Sequence, residues 1–155
     1  MINKILLAIL LTVSAVPAAA AAQERPIKLQ SDVKLIRPAQ QQGEAPELVA
    51  PEGVVPGDTL VFTTSYRNEG ASAVSDFVIV NPVPTDLVLT DEAAAGTEVS
   101  VDGGKQWGRL ADLEIVKEDG EERPATIEDI THMRWVFANI APRANGEVKF
   151  SARVR

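Results

Sequence analysis

Chemistry at a protein site needs a nucleophile, an acid–base group or a metal ligand, and this chain offers few. Among its 155 residues there is no Cys and one His, His132. Without Cys there is no thiol catalysis, thiolate zinc site, c-type haem attachment or disulfide. A catalytic His needs a nucleophile and an orienting acid beside it, and no G-x-S-x-G element supplies the first. We therefore read His132 as structural. Carboxylates cluster at Asp86/Asp91/Glu92, at Glu118-Asp119-Gly120-Glu121-Glu122 and at Glu128-Asp129. Loops of this kind hold calcium in some β-sandwiches, but the D-x-[DN]-x-[DN]-G spacing is missing, and solvated loops are the plainer reading. Paired carboxylates also hydrolyse glycosides. A sugar cleft is usually lined with aromatics, and the chain has only two Trp, one Tyr and four Phe. Lys34 with Asn139 or Asn145 is the one pair suited to a Lys–Asn isopeptide bond. Lys34 lies in the polar phase of its segment, where a solvated amine stays protonated and is not nucleophilic. Trp135 stands between Met133 and Phe137 at period two and reads as core. Trp107, beside a Gly-rich turn, reads as packing, with sugar stacking at a rim as the functional alternative.

The elements that carry these residues are short and β-like. In 27–36, Ile27, Leu29, Val33 and Leu35 share one face and Lys28, Gln30, Asp32 and Lys34 the other, the period of a half-buried strand. Residues 38–56 hold several prolines and a Gln run, and are expected to form an extended connection. Pro56-Gly57 predicts a turn with Gly at positive φ. Residues 59–67 place Leu60, Phe62, Thr64 and Tyr66 on one face, and Asn68-Glu69-Gly70 ends that strand. Phe77–Val80 is the next strand, stopped by Pro82 and Pro84. Asp91–Gly96 suits one helical turn. Asp102-Gly103-Gly104 and Glu118-Asp119-Gly120 are hairpin signals, and Thr126-Ile127-Glu128-Asp129 fits a capping box. The last two strands carry Met133, Trp135 and Phe137, then Val148, Phe150, Ala152 and Val154. Seven to nine short strands without a long helical period predict an all-β antiparallel sandwich. An outer-membrane barrel is disfavoured by the scarcity of aromatics and the charged outward faces.

Residues 1–22, MINKILLAILLTVSAVPAAAAA, read as a secretory signal peptide: Lys4, an apolar stretch to Val16, then Pro17 and an alanine run. Cleavage is expected before Gln23, and with no twin-Arg pair the Sec route is implied. The apolar stretch is shorter than the ~20 residues of a spanning helix, so no membrane span is expected in the mature chain. The formal net charge is −7, which argues against nucleic acid as a partner. Export without Cys, and without an N-x-[ST] sequon, fits a bacterial protein in the periplasm or outside the cell. The expected organisation is a signal peptide over 1–22 and one domain over 23–155, with no internal repeat.

Val55-Pro56-Gly57-Asp58-Thr59-Leu60-Val61-Phe62, Tyr66-Arg67-Asn68-Glu69-Gly70 and Asn81-Pro82-Val83-Pro84 resemble, in that order, the bacterial "conserved repeat domain", a domain of unknown function. Asp102-Gly103-Gly104-Lys105-Gln106-Trp107, His132-Met133-Arg134-Trp135 and Ala141-Pro142 continue the resemblance. It spans roughly residues 27–155. It implies an immunoglobulin-like, non-enzymatic domain of envelope and cell-surface proteins, working as spacer, adhesion module or envelope component. Two positions depart from the pattern: Asn81 stands where the family has Asp, and Arg143 where it has Gly. A single copy also does not make a long stalk.

The resulting expectation is an exported structural or protein-interaction module with no catalysis, cofactor or metal, its partner an envelope protein or a second copy. The alternative is a loop-based glycan- or calcium-binding module. The expected contact residues are Val78, Val80 and Trp107. Phe77 and Ile79 should point inward and Val78 and Val80 outward, leaving a strand that is apolar on both faces. A β-rich apolar run needs a cover. The expected cover is intramolecular, the 38–56 connection, with Leu48 and Val49, lying across that face; the alternative is another chain, by face packing or strand addition.

Overall fold

The computed structural model describes residues 26–39 and 44–155. The predicted signal peptide and the Gln23 boundary lie outside the described residues. The remainder is an all-β antiparallel sandwich. Its strands are β1 (Ile27–Arg37), β2 (Glu47–Val49), β3 (Thr59–Asn68), β4 (Val74–Pro82), β5 (Leu87–Leu89), β6 (Glu98–Ser100), β7 (Glu114–Val116), β8 (Glu122–Pro124), β9 (His132–Ile140) and β10 (Asn145–Val154). A one-turn helix, α1 (Asp91–Ala95), follows β5. One sheet has the order β2-β1-β3-β10-β5 and the other β4-β9-β6, with β7 and β8 forming a separate ribbon. Ten strands form among the described residues, more than the seven to nine expected, partly because a short strand forms inside the Pro-rich connection.

Alternation along each strand sets what lies between the sheets. Leu60, Phe62 and Thr64 of β3 pair with Ala152, Phe150 and Val148 of β10 in direct register. The Phe62 and Phe150 rings stack with centroids 4.7 Å apart, and Trp135 approaches Phe150 at 6.2 Å from the opposite sheet. Leu35, Val99, Met133 and Ala152 are wholly inaccessible to water, and Ile79 and Leu89 nearly so. Burying a side chain of this size stabilises the fold by ~1.5–3 kcal/mol. Trp135 packs against this cluster but is half-buried, so the centre of the three-stranded sheet is Met133 rather than the indole.

Two turns are fixed by backbone chemistry. Gly57 takes φ 94°, and Asp58 N–H closes the turn on Val55 O at 3.1 Å, with the Asp58 carboxylate accepting Val55 N–H. A left-handed φ at the third turn position suits glycine. At the opposite end, Asn68 is wholly buried. Its side-chain amide donates to Ser72 O, Ile140 O and Ala141 O, and its carbonyl accepts Gly70 N–H. One side chain thus pins the β3–β4 crossover to the β9–β10 turn. The single turn predicted at Thr126–Asp129 forms, with both halves of the capping box present.

The 38–56 connection does not lie where it was expected. Its β2 pairs with the far end of β1, Leu35 opposite Val49, at the edge of the five-stranded sheet. Leu48 remains 55% exposed, while Val78 and Val80 sit on the other sheet, 41% and 46% exposed. The reason is hydrogen bonding: a short segment flanked by prolines satisfies more backbone polar groups beside β1 than by lying flat on a sheet face.

Candidate functional site

The outer face of the three-stranded sheet gathers all three expected contact residues. β4 and β9 pair with Val78 opposite Val136 and Val80 opposite Arg134, and β6 places Glu98 on the other side of Arg134. Inward residues alternate with these: Ile79 on β4, Met133 on β9 and Val99 on β6 are buried. Strand period two therefore turns Val78, Val80, Arg134 and Val136 toward water. Val78 and Val80 point outward and Phe77 and Ile79 inward, as the alternation predicts. Val136, 57% exposed, joins them. Sequence reasoning did not single it out, although it stands in the same phase as Arg134.

Trp107 reaches this face from the loop after β6. The Arg134 guanidinium lies 4.7 Å from its ring centroid, a cation–π contact, and Arg134 Nε donates to Glu98 Oε2 at 2.7 Å. The indole N–H donates to Gly104 O at 2.9 Å. One face of the ring and its polar edge are thus occupied, and Arg134 stands between the ring and Val80, its cross-strand partner. The site reads across the strands as Val78–Val136 and Val80–Arg134–Glu98, with Trp107 above Arg134.

The loop holding Trp107 is tied down by its own polar groups. Asp102 Oδ1 accepts Ser100 Oγ–H at 2.8 Å and the backbone N–H groups of Lys105 and Gln106 at 3.0 Å. These bonds favour the carboxylate, so Asp102 is held below the usual carboxylate range. Ser100, wholly buried, also accepts Gly104 N–H. Gly103 and Gly104 take φ of 80° and 88°, and a Cβ on Gly104 would meet the Trp107 ring at 3.5 Å. Val99 and Gly108 bridge in both directions, closing the loop at its base.

His132 belongs to the same anchorage. Thr131 Oγ1 donates to Ser100 O and accepts Gly103 N–H, and His132 Nδ1 lies 3.0 Å from it. The His132 ring meets Trp107 edge-on at 6.4 Å. Asp or Glu is not among its hydrogen-bond partners in the described residues.

Two of the three acidic loops engage the chain's own cations and amides through Asp119, Glu121, Glu128 and Asp129. Arg123 grips Asp129 with two bonds of 2.7 Å, and Thr126 N–H and Oγ1–H donate to the same carboxylate. The guanidinium and these donors hold Asp129 far below the usual carboxylate range. Glu121 pairs with Lys117, Asp119 accepts Glu121 N–H, and Glu128 approaches Arg155. Among the described residues no group of three or more His, Asp and Glu side chains gathers to hold a metal ion. Lys34 is paired with Asp32 on the surface at 3.7 Å. Its β1 neighbour is β3, which separates it from β10 and Asn145, and Asn139 belongs to the other sheet. The isopeptide partners are not brought together. No helix among the described residues is long and apolar enough to cross a membrane. No family model, curated protein or solved structure matches the chain.

Proposed function

We propose that this chain is an exported, non-catalytic interaction module of a bacterial cell envelope, and that the outer face of its three-stranded sheet is the contact surface. The observation that carries the reading is the cross-strand stripe of Val78, Val80 and Val136, exposed beside an aromatic–cation pair on a rigidly anchored loop. Scattered exposed valines mean little, but contiguous ones rimmed by polar groups mark contact sites. Trp and Arg are the residue types most enriched among residues that dominate binding energy. The Lys4-led apolar segment with its alanine run supports export.

The resemblance to the conserved repeat domain supports a structural role. Arg143, where that family has Gly, takes a left-handed φ of 63° and donates to Glu69 O, so the backbone keeps the conformation that glycine favours. The engaged carboxylates lend no support to a calcium-binding loop. Capture from an envelope extract by the wild-type chain and by a Val78→Lys/Val80→Lys variant tests the reading. Loss of the captured partner with an unchanged melting temperature is the expected result. Capture that survives the double substitution would refute the assignment of this face.

A further inference from the structure

The sandwich guards its strand edges unevenly. β2, β5 and β6 are three residues each, and β6 is also bridged by Gly108. Among the described residues β1 leaves Ile27–Lys34 without an outer partner, since β2 pairs only with Leu35, Ile36 and Arg37. Lys28 and Lys34 stand in that open stretch, and edge lysines oppose strand addition. β4 differs. Among the described residues it pairs only with β9; it runs for nine residues and contains neither Lys nor Arg. Its sole charge is Asp76.

Two residues of β4 cannot serve a regular ladder. Asp76 has a left-handed φ of 52°, and Pro82 has no N–H. Both lie three residues from Ile79, on opposite sides. An antiparallel second β4, related by a two-fold axis at Ile79, therefore sets each Asp76 against the other copy's Pro82. Phe77–Asn81, an uncharged stretch, is left as the ladder. Val78 then faces Val80 of the second copy, and no charge opposes a like charge. The edge also borders an open apolar groove of about 400 Å³ lined by Pro26, Ile27, Leu29, Val74 and Phe77. Leu29 there is 47% exposed, and the two-fold register sets one such groove at each end of the ladder.

We propose that two copies of this chain associate through β4 in an antiparallel register centred on Ile79, joining the three-stranded sheets into one. This rests on the interaction reading above and names a second copy as partner at the edge of the same face. A five-residue ladder with a small apolar flank falls at the low end of interface sizes, below ~1,200 Å², so the dimer is weak and concentration-dependent.

The chain lacks Cys, so introduced thiols report the register without interference. Directly opposed residues of an antiparallel pair lie ~4.5–5.5 Å apart at Cα, within disulfide reach. The purified exported chain, beginning at Gln23, is examined by sedimentation across a wide concentration range. Val78→Cys and Val80→Cys variants are oxidised separately and mixed. A concentration-dependent dimer, with the mixed Val78–Val80 disulfide in several-fold excess over either homodisulfide, is the expected result. A monomer at the highest concentration, or a dimer whose homodisulfides dominate, overturns the proposal. A monomer whose envelope partner is still lost with Val78→Lys/Val80→Lys overturns the dimer alone. A monomer indifferent to those lysines overturns the interaction reading as well.

Discussion

Met133 and Val136 stand three residues apart on β9, yet water reaches none of the first and more than half of the second. Both faces of the three-stranded sheet carry apolar side chains, in opposite surroundings. Inward, Ile79, Val99 and Met133 are roofed by five strands of the other sheet. Outward, Val78, Val80 and Val136 are roofed by nothing among the described residues, except that the Trp107 loop closes over the Arg134 end. Apolar character on this sheet therefore has two meanings. On one side it holds the fold, and on the other it stays exposed, the surface we propose for a partner. Substitutions that separate stability from association are the way to test that division.

The largest separation is expected between Met133→Ala and Val136→Ala. Emptying the Met133 site should cost ~2–5 kcal/mol, since the cavity cannot fully collapse. Val136→Ala should stay within ~0.5 kcal/mol. Urea midpoints measure both, and equal shifts would mean that the outer face is covered in solution. Trp135→Ala should fall toward the lower end of the ~3–5 kcal/mol range for large aromatics, because the indole is only half-buried. Next in size is Asn68→Ala, which leaves three carbonyls without their donor at the buried corner. Lost and unsatisfied hydrogen bonds place its cost at ~1–3 kcal/mol. A midpoint unchanged by Asn68→Ala would mean that water replaces the amide and the corner is not a clamp.

A smaller effect concerns pH. Asp129 has a folded pKa well below its unfolded value of ~3.9, chiefly through the Arg123 bonds. A depressed carboxylate contributes stability that is complete above the unfolded pKa and lost as pH falls through that value toward the folded one. Wild type should therefore exceed Asp129→Asn in stability at neutral pH, with the gap closing below about pH 4. A gap that persists unchanged at acid pH would assign the effect to the capping geometry rather than to charge.

How much of this was legible in the sequence follows from the range of each signal. Period-two alternation fixed the inward faces of β3, β4, β9 and β10 correctly because it is local to each strand. The turn at Gly57 and the cap at Thr126 were legible for the same reason. Placement of β2 was not, because three residues between prolines carry no alternation, and only the vacant edge of β1 decides where they pair. The site was half legible. Val78 and Val80 stood out as apolar residues in the wrong phase. Val136, in the same phase one strand away, was hidden by the aromatic residues around it. The Arg134–Trp107 contact joins residues 27 positions apart through a loop whose shape depends on Asp102 and two left-handed glycines, and no periodicity announces that.

A small stability change, above only that of Val136→Ala, is expected at Trp107, and it completes the contrast with Trp135. Trp107 has one face on Arg134 and its N–H on Gly104 O, but it is not part of the central cluster. Removing the cation–π contact costs ~0.5–1 kcal/mol at a partly exposed site. The loop keeps its Asp102 and Ser100 bonds without the indole. Trp107→Ala should therefore lower the urea midpoint slightly, well short of Trp135→Ala, while weakening capture of an envelope partner as much as the paired valine-to-lysine change. Fluorescence separates the two sites without a partner. A Trp135→Phe chain, lit by Trp107 alone, should emit to the red and be readily quenched by acrylamide. The Trp107→Phe chain should emit to the blue and resist quenching. The opposite order would place Trp107 inside the sandwich, and the outer face would then lose the aromatic that distinguishes it from a bare valine stripe.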